Sequence, residues 1–390
     1  MVEYAFATDD QRELAELGRD ILEKNLKPRL PELEKANDGI GEFPVDILKM
    51  MAEAGFYAMD VPEEYGGLGF DNVTECLIYE ELSKVDAGFA FNMHSADQYW
   101  EYIAKTNLSE DEKKEWARKL VAGEALGAFA LTESQAGSDA AAITTKAVYD
   151  PATKEWILNG TKCFISNAPY ADHFFVVAWT DKTQSSGKGM TMFLVEKNRG
   201  IKIGSHEHKM GLKLSATAEI ILEDVRVPED HIVGKVGEGL KIALSTVNKA
   251  RVITLVFGLG IAQAAVDYAV KYAQTRTTFG KRLIDHEGLA FKLAEMQMRT
   301  DASRALLYYG ARMLDEHMPM GTIACSTKKF VSDSLMQTTL DAVQVFGGYG
   351  YMQDYPVEKL MRDAKIFQIF DGTNEINQLV IARVLDKKYK

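Results

Sequence analysis

The residues best suited to chemistry lie close to the C-terminus, where a carboxylate meets glycine and threonine in Asp371-Gly372-Thr373 after the run Ile366-Phe367-Gln368-Ile369-Phe370. A carboxylate set among apolar side chains loses hydration, and that loss lifts its pKa toward that of a general base working near neutrality. The bland alternative is a surface aspartate opening a Gly-Thr turn. Other chemistries find less footing. Cys76, Cys163 and Cys325 form no CxxC pair and the seven histidines show no HExxH spacing, which disfavours zinc and disulfide chemistry. No GxGxxG follows a strand-like run, so a Rossmann nicotinamide site is disfavoured too. The glycines of Val61-Pro62-Glu63-Glu64-Tyr65-Gly66-Gly67-Leu68-Gly69 follow no strand and read as a loop.

Four further segments accompany that carboxylate: Leu131-Thr132-Glu133-Ser134-Gln135-Ala136-Gly137-Ser138-Asp139, Cys163-Phe164-Ile165-Ser166-Asn167, Arg276-Thr277-Thr278-Phe279-Gly280-Lys281 and Phe346-Gly347-Gly348-Tyr349-Gly350. In this order and spacing the chain resembles the acyl-CoA dehydrogenase family, flavoenzymes that desaturate fatty acyl thioesters. The likeness runs nearly end to end. In most relatives the residue before the final Gly-Thr is glutamate; here it is Asp371.

The resemblance implies an FAD cofactor and assigns residues to it. Thr132 matches a threonine beside the flavin ring, flanked by Phe129 and Leu131, and Phe164 and Ser166 match a second contact pair. Phe164 stands where the family often has tryptophan, keeping an aromatic face but losing the indole donor. Arg276, Thr278 and Phe279 match residues that grip the flavin's phosphates and adenosine from a neighbouring subunit, and a guanidinium fork suits a pyrophosphate. Gln344, Gly347 and Gly348 match adenosine-side contacts, where glycine lets backbone approach a cofactor. Thr373 and Glu375 fall on the same side, Glu375 bringing a negative charge where relatives often carry glutamine. Ser138 matches a contact to the pantetheine arm, Arg251 an arginine near the CoA adenosine phosphates, and Gly372 a place on the substrate side. Read without the resemblance, Thr132 is a strand hydroxyl, Arg276 a basic helix C-terminus and Arg251 a cap on its own helix surface.

The implied reaction removes a Cα proton to a carboxylate and a Cβ hydride to the flavin. Such a site must polarise the thioester carbonyl and exclude water. Some relatives place the base just before the arginine matched by Arg251, a position held here by Ala250, which leaves Asp371 as the carboxylate at a known base position. Aspartate is shorter than glutamate by roughly an ångström of reach, and misplacement on that scale can cost about a hundredfold in rate. Three explanations stand: a substrate that sits closer, for instance a bulky branched or alicyclic acyl group, Asp97 in Met93-His94-Ser95-Ala96-Asp97-Gln98 as principal base, or a poor catalyst. Asp97 read alone is a solvated helix residue, and His94 is structural or polarising. The leading function is an acyl-CoA dehydrogenase of a short, branched or alicyclic acyl-CoA, reoxidised by electron-transfer flavoprotein. An acyl-CoA oxidase and a flavin- and CoA-binding scaffold without a base are the competitors.

These residues need elements to hold them. Helical periodicity covers Asp9 to about Glu124, with Asp9 and Asp10 as first-turn acids and Pro44 opening a helix. From about Gly127 to Gly234 the texture is strands, including Phe174–Trp179, Met192–Val195 and Glu219–Val225, with Thr183–Gly189 as a polar hairpin loop. Helices return from Gly239, where Gly258-Leu259-Gly260-Ile261-Ala262 is small enough for close helix contact. The expected fold is α+β, mainly α: an N-terminal helical domain over 1–125, a central β domain over 126–236 and a C-terminal helical bundle over 237–390. The resemblance makes the middle domain a β-barrel and the assembly a tetramer.

Composition narrows the partners. A net charge of −12 offers no basic stripe for nucleic acid. No apolar run is expected to reach bilayer-spanning length. Met1-Val2-Glu3-Tyr4-Ala5-Phe6 lacks a signal or transit pattern, and the scattered cysteines suit a reducing compartment, so a cytoplasmic location is expected.

Overall fold

A computed structural model describes residues 7–37, 43–184 and 187–390, with the side chains of residues 37, 95–98 and 248 outside the description. Five helices come first: α1 (Asp9–Asn25), α2 (Leu30–Asn37), α3 (Val45–Glu53), α4 (Asn72–Ala104) and α5 (Glu110–Val121). Caps set their starts. The Thr8 side chain accepts from Gln11 N–H while Gln11 answers to the Thr8 N–H, and Ser109 with Glu112 repeats the arrangement at α5. α4 is interrupted at Asp86, whose backbone is extended (φ −156°, ψ 113°) and whose carboxylate accepts from Phe89 N–H, capping the second half of the helix. That second half carries Phe91, His94, Tyr99 and Tyr102.

The middle of the chain forms one sheet from β1 (Gly127–Ala130), β2 (Lys146–Asp150), β3 (Glu155–Ser166), β4 (His173–Trp179), β5 (Met190–Glu196), β6 (Lys202–His206), β7 (Thr217–Pro228) and β8 (Ile232–Val233). Its order is β6-β7-β3-β2-β4-β5-β8, with β1 parallel to β4. The sheet curls round its own core, built from Leu158, Phe174, Phe193, Ile220, Val225 and neighbours. β4 and β5 pair antiparallel across the expected hairpin, whose residues 185 and 186 lie outside the described residues.

The chain then returns to helices: α6 (Gly239–Ile253), α7 (Leu255–Thr275), α8 (Glu287–Asp315), α9 (Ile323–Phe346), α10 (Val357–Ala364) and α11 (Asn374–Lys388). A two-stranded hairpin, β9 (Thr277–Thr278) and β10 (Lys281–Arg282), follows α7. α7 is the axis, packed against α4, α8 and α9. A Cβ on Gly260 would lie 2.5 Å from the Glu80 carbonyl oxygen of α4, so glycine sets the spacing of those two helices. One expectation needs correcting. Gly239–Thr275 is long and apolar enough to cross a bilayer, but 83% of its most apolar window is buried inside the fold. An axis surrounded by other helices is hydrophobic on all sides for the same reason a membrane span is.

Candidate active site

Asp371 sits on the short loop between the 3₁₀ turn Lys365–Gln368 and α11. Its backbone is left-handed (φ 53°), a region aspartate and asparagine tolerate better than most residues. Gly372 follows at φ 93°, where a Cβ would also meet Arg251 Nη2 at 3.1 Å. Three cationic or amide groups hold this loop through its carbonyls. Arg251 Nε donates to the Asp371 oxygen at 3.2 Å, Asn377 Nδ2 donates to the Gly372 oxygen at 2.8 Å, and the buried Lys328 Nζ donates to the Phe367 oxygen. Thr373 caps α11 by accepting from Ile376 N–H.

The Asp371 carboxylate accepts from Thr254 Oγ1 at 2.9 Å, at the junction of α6 and α7. Burial raises its pKa above the usual aspartate value, against the opposing pull of Thr254, Lys328, Arg251 and His94. Lys328 answers in kind: burial lowers its ammonium to about 8, with the Asp371 charge drawing it back up. Two α4 tyrosines also feel Asp371, and burial holds both phenols protonated well above their ordinary range. An aromatic wall adjoins the carboxylate. Phe91 stacks on Phe370 at 5.6 Å and meets Phe257 edge-on at 5.5 Å, and Phe257 touches His94 and Tyr79 at 5.6 and 5.2 Å.

Tyr102 links this wall to the sheet, its ring 6.0 Å from that of Phe129 on β1. Just beyond β1, the Thr132 carbonyl accepts from Cys163 N–H at 3.0 Å, which brings Leu131 and Thr132 beside Phe164 and Ser166 of β3. Phe164 has a left-handed backbone (φ 59°) that turns its ring outward, 63% exposed. Beneath them Lys162 Nζ donates to the Leu131 carbonyl and to Glu133, both at 2.9 Å.

A second locus lies at the far end of α7. Arg276, Thr278, Gly347 and Gly348 line a recess of about 430 Å³ with Tyr272 and Tyr349, and the Arg276 guanidinium lies 5.8 Å from the Tyr349 ring centre. Thr254 precedes α7 and Arg276 follows its 21 residues, a helix of about 30 Å. The recess and Asp371 are therefore at opposite ends of one helix.

Family models match almost the whole chain: Acyl-CoA dehydrogenase N-terminal domain over residues 8–124, middle domain over 128–225 and C-terminal domain over 237–385. An acyl-CoA dehydrogenase of Bacillus subtilis (strain 168) is 39% identical over 381 residues, covering 97% of this chain and 98% of the relative. The chain belongs to the acyl-CoA dehydrogenase family. The structure of butyryl-CoA dehydrogenase from Megasphaera elsdenii superposes with a TM-score of 0.90 at 37% identity, covering 97% of this chain and 98% of that one. A chain in a structure of the electron transferring flavoprotein of Acidaminococcus fermentans gives a TM-score of 0.91 at 39% identity, covering 98% and 99%.

Acyl-CoA dehydrogenases are FAD flavoproteins, and the residues of this member suit that group. The recess combines a guanidinium, a hydroxyl and two glycines on which a Cβ would meet nothing within 4 Å, a donor set and an open floor matched to a pyrophosphate. The exposed Phe164 face beside Thr132 offers an apolar surface to a flat ring. Phe279 is 99% exposed at the tip of the β9–β10 hairpin, and Gln344 is exposed near the recess. Ser138 is exposed on the loop after β1, and Glu375 is exposed in the first turn of α11. Arg251 is tied to the loop of Asp371 and approaches Cys325 Sγ at 3.7 Å, so it sits beside the carboxylate instead of capping its own helix surface. The Asp97 side chain lies outside the described residues.

Thr254, Lys328, Tyr99 and Tyr102 escaped sequence reasoning. Each is an ordinary helix residue by type and spacing. The one available signal was a lysine, Lys328, at helical spacing with Ala324, Val331 and Leu335 of α9.

Proposed function

We propose that this family member is an FAD-dependent acyl-CoA dehydrogenase in which Asp371 removes the Cα proton of a short, branched or alicyclic acyl-CoA, with electrons passing to electron-transfer flavoprotein. One observation carries the reading: a carboxylate with a raised pKa, fixed by its own backbone, facing an aromatic wall. Bound FAD supplies the acceptor for the Cβ hydride. Phe129, Leu131, Thr132, Phe164 and Ser166 would lie along its ring. Arg276, Thr278, Phe279, Gln344, Gly347, Gly348, Thr373 and Glu375 would serve its pyrophosphate and adenosine. Because the recess stands a helix length from Asp371, it would serve the site of another copy in a homo-oligomer, as the tetramer expectation requires.

The chain's own residues handle the proton. Desolvation keeps Asp371 basic enough to accept one from carbon, and Arg251, Lys328 and Asn377 keep its loop from drifting. The Asp371 N–H meets no acceptor among the described residues and is available to the thioester oxygen. Phe91, Phe257, Phe370, Tyr79 and His94 close the space beside the carboxylate, which supports a compact acyl group over a long straight one. Ser138 would meet the pantetheine arm and Gly372 the thioester end, with Arg251 holding the loop between them.

The test is anaerobic loss of flavin absorbance with straight, branched and alicyclic acyl-CoAs, on wild type, Asp371→Asn and Asp97→Asn. Bleaching by compact acyl groups that Asp371→Asn abolishes, with FAD still bound, is the expected result. Unchanged reduction in Asp371→Asn transfers the role to Asp97, and yellow protein that no acyl-CoA reduces leaves only a scaffold. Peroxide formation by the reduced enzyme would mark an oxidase instead.

A further inference from the structure

The Thr254 hydroxyl has one proton and two acceptors. It lies 2.6 Å from the Ala250 carbonyl oxygen and 2.9 Å from Asp371 Oδ2. A hydroxyl donates once and accepts through its remaining lone pairs, so it cannot serve both oxygens at one time. The Ala250 carbonyl does not depend on it, because Thr254 N–H already donates there at 2.8 Å. The hydroxyl is therefore free to leave that carbonyl without stranding a buried acceptor, a change that would otherwise be costly.

We propose that Thr254 is a positioning residue for the base, its hydroxyl swinging between Asp371 and Ala250 as the carboxyl gains and loses its proton. This rests on the reading of Asp371 as the base. With Asp371 ionised, Thr254 donates to the carboxylate and Ala250 keeps its backbone donor. When the substrate C–H breaks and an O–H forms on Asp371, the acid becomes the donor. Thr254 then accepts from it and turns its own proton to Ala250. Thr254 neither gains nor loses a proton; it keeps a partner for Asp371 in both states, so the carboxyl stays on one rotamer through the transfer. Thr254 is well placed for this because it sits where α6 ends and α7 begins, buried and unable to drift.

The other groups facing Asp371 cannot do the same. Arg251 on α6 and Lys328 on α9 only donate, His94 on α4 contributes an electrostatic pull, and the Tyr99 and Tyr102 phenols of α4 are engaged with the Phe129 backbone and with Thr246. Cys325 couples to Arg251, and Asp333 and Glu375 couple to Lys328.

The test titrates the Asp371 carboxyl in the holoenzyme by infrared difference spectroscopy, assigned by subtraction of Asp371→Asn, beside the pH profile of flavin reduction. Thr254→Val should move both upward by about one pH unit, a tenfold loss of ionised carboxylate at a fixed acidic pH. The maximal reduction rate should fall while KM stays within about twofold. Thr254→Ser should match wild type, and Thr254→Ala gives the same comparison if valine crowds the helix junction. A carboxyl that titrates as wild type in Thr254→Val, or a serine variant as disturbed as the valine one, overturns the proposal. Turnover that survives Asp371→Asn while the carboxyl still responds to Thr254 would sink Asp371 as base and leave this coupling in place.

Discussion

Two acidic side chains of this protein sit beside buried lysines and have opposite fates. Glu133, 3% exposed, accepts from Lys162 Nζ, from the N–H and hydroxyl of both Thr144 and Thr145, and from Gln135. Burial alone would push Glu133 up, but Lys162 and the Thr145 and Thr144 donors hold it well below the usual carboxylate range. Among the described residues Asp371 has one hydroxyl donor, and Lys328 turns its ammonium to the Phe367 carbonyl. The lysines themselves look alike, each lowered by burial to about 8. What separates the two acids is the number of donors aimed at the carboxylate. A fully solvated-by-protein carboxylate is a rivet; an under-served one can take a proton.

The sharpest way to break that contrast is to neutralise each acid. Asp371→Asn should lower flavin reduction by acyl-CoA about 10²–10⁴-fold, yet raise the thermal midpoint near neutral pH. The sign follows from linkage: a folded pKa above the unfolded value of 3.8 makes stability fall as pH rises through that interval, and asparagine removes the effect. Asparagine also keeps the left-handed backbone. A lower midpoint would mean that Asp371 is structural. Glu133→Gln should do the reverse, losing about 3–5 kcal/mol because Lys162 is left buried without its partner, as read by denaturant titration. Glu133 stabilises the fold above its unfolded value of 4.5, and that stability is lost as pH falls toward its folded pKa.

Smaller effects refine the comparison. Lys328→Met removes a cation that favours ionised Asp371, so the acidic limb of flavin reduction should shift upward by about one unit. An unmoved limb would reduce Lys328 to a loop clamp. The smallest change concerns His173, buried with no hydrogen-bond partner for either ring nitrogen among the described residues and held to about 3 by desolvation and Lys119. The unfolded chain takes a proton below its ordinary 6.5, so stability should decline from there toward 3 as pH falls. His173→Phe should flatten that decline in acid melts without altering reduction at neutral pH.

Much of this was legible beforehand. Helix-spaced leucines, the β-branched runs at Phe174–Trp179 and Glu219–Val225 and the small-residue stretch at Gly258–Ala262 marked the helix, sheet, helix order, because periodicity and turn residues are local properties. The Asp371-Gly372-Thr373 segment, read alone, was as consistent with a surface turn, and the resemblance of the whole chain is what singled it out. The long apolar stretch within Gly239–Thr275 was under-read, since a window of sequence does not say what surrounds it.

Periodicity and turn residues by themselves determined the order of elements, while the resemblance of the motifs pointed to the family and to which acid to suspect. Tertiary structure decided what that acid can do. The hydroxyl that meets Asp371 lies 117 positions earlier, Lys328 lies 43 positions earlier, and the Phe91 ring that walls the site comes from another helix again. Desolvation and donor count depend on atoms within a few ångströms in space, and only folding brings residues so distant in the chain that close.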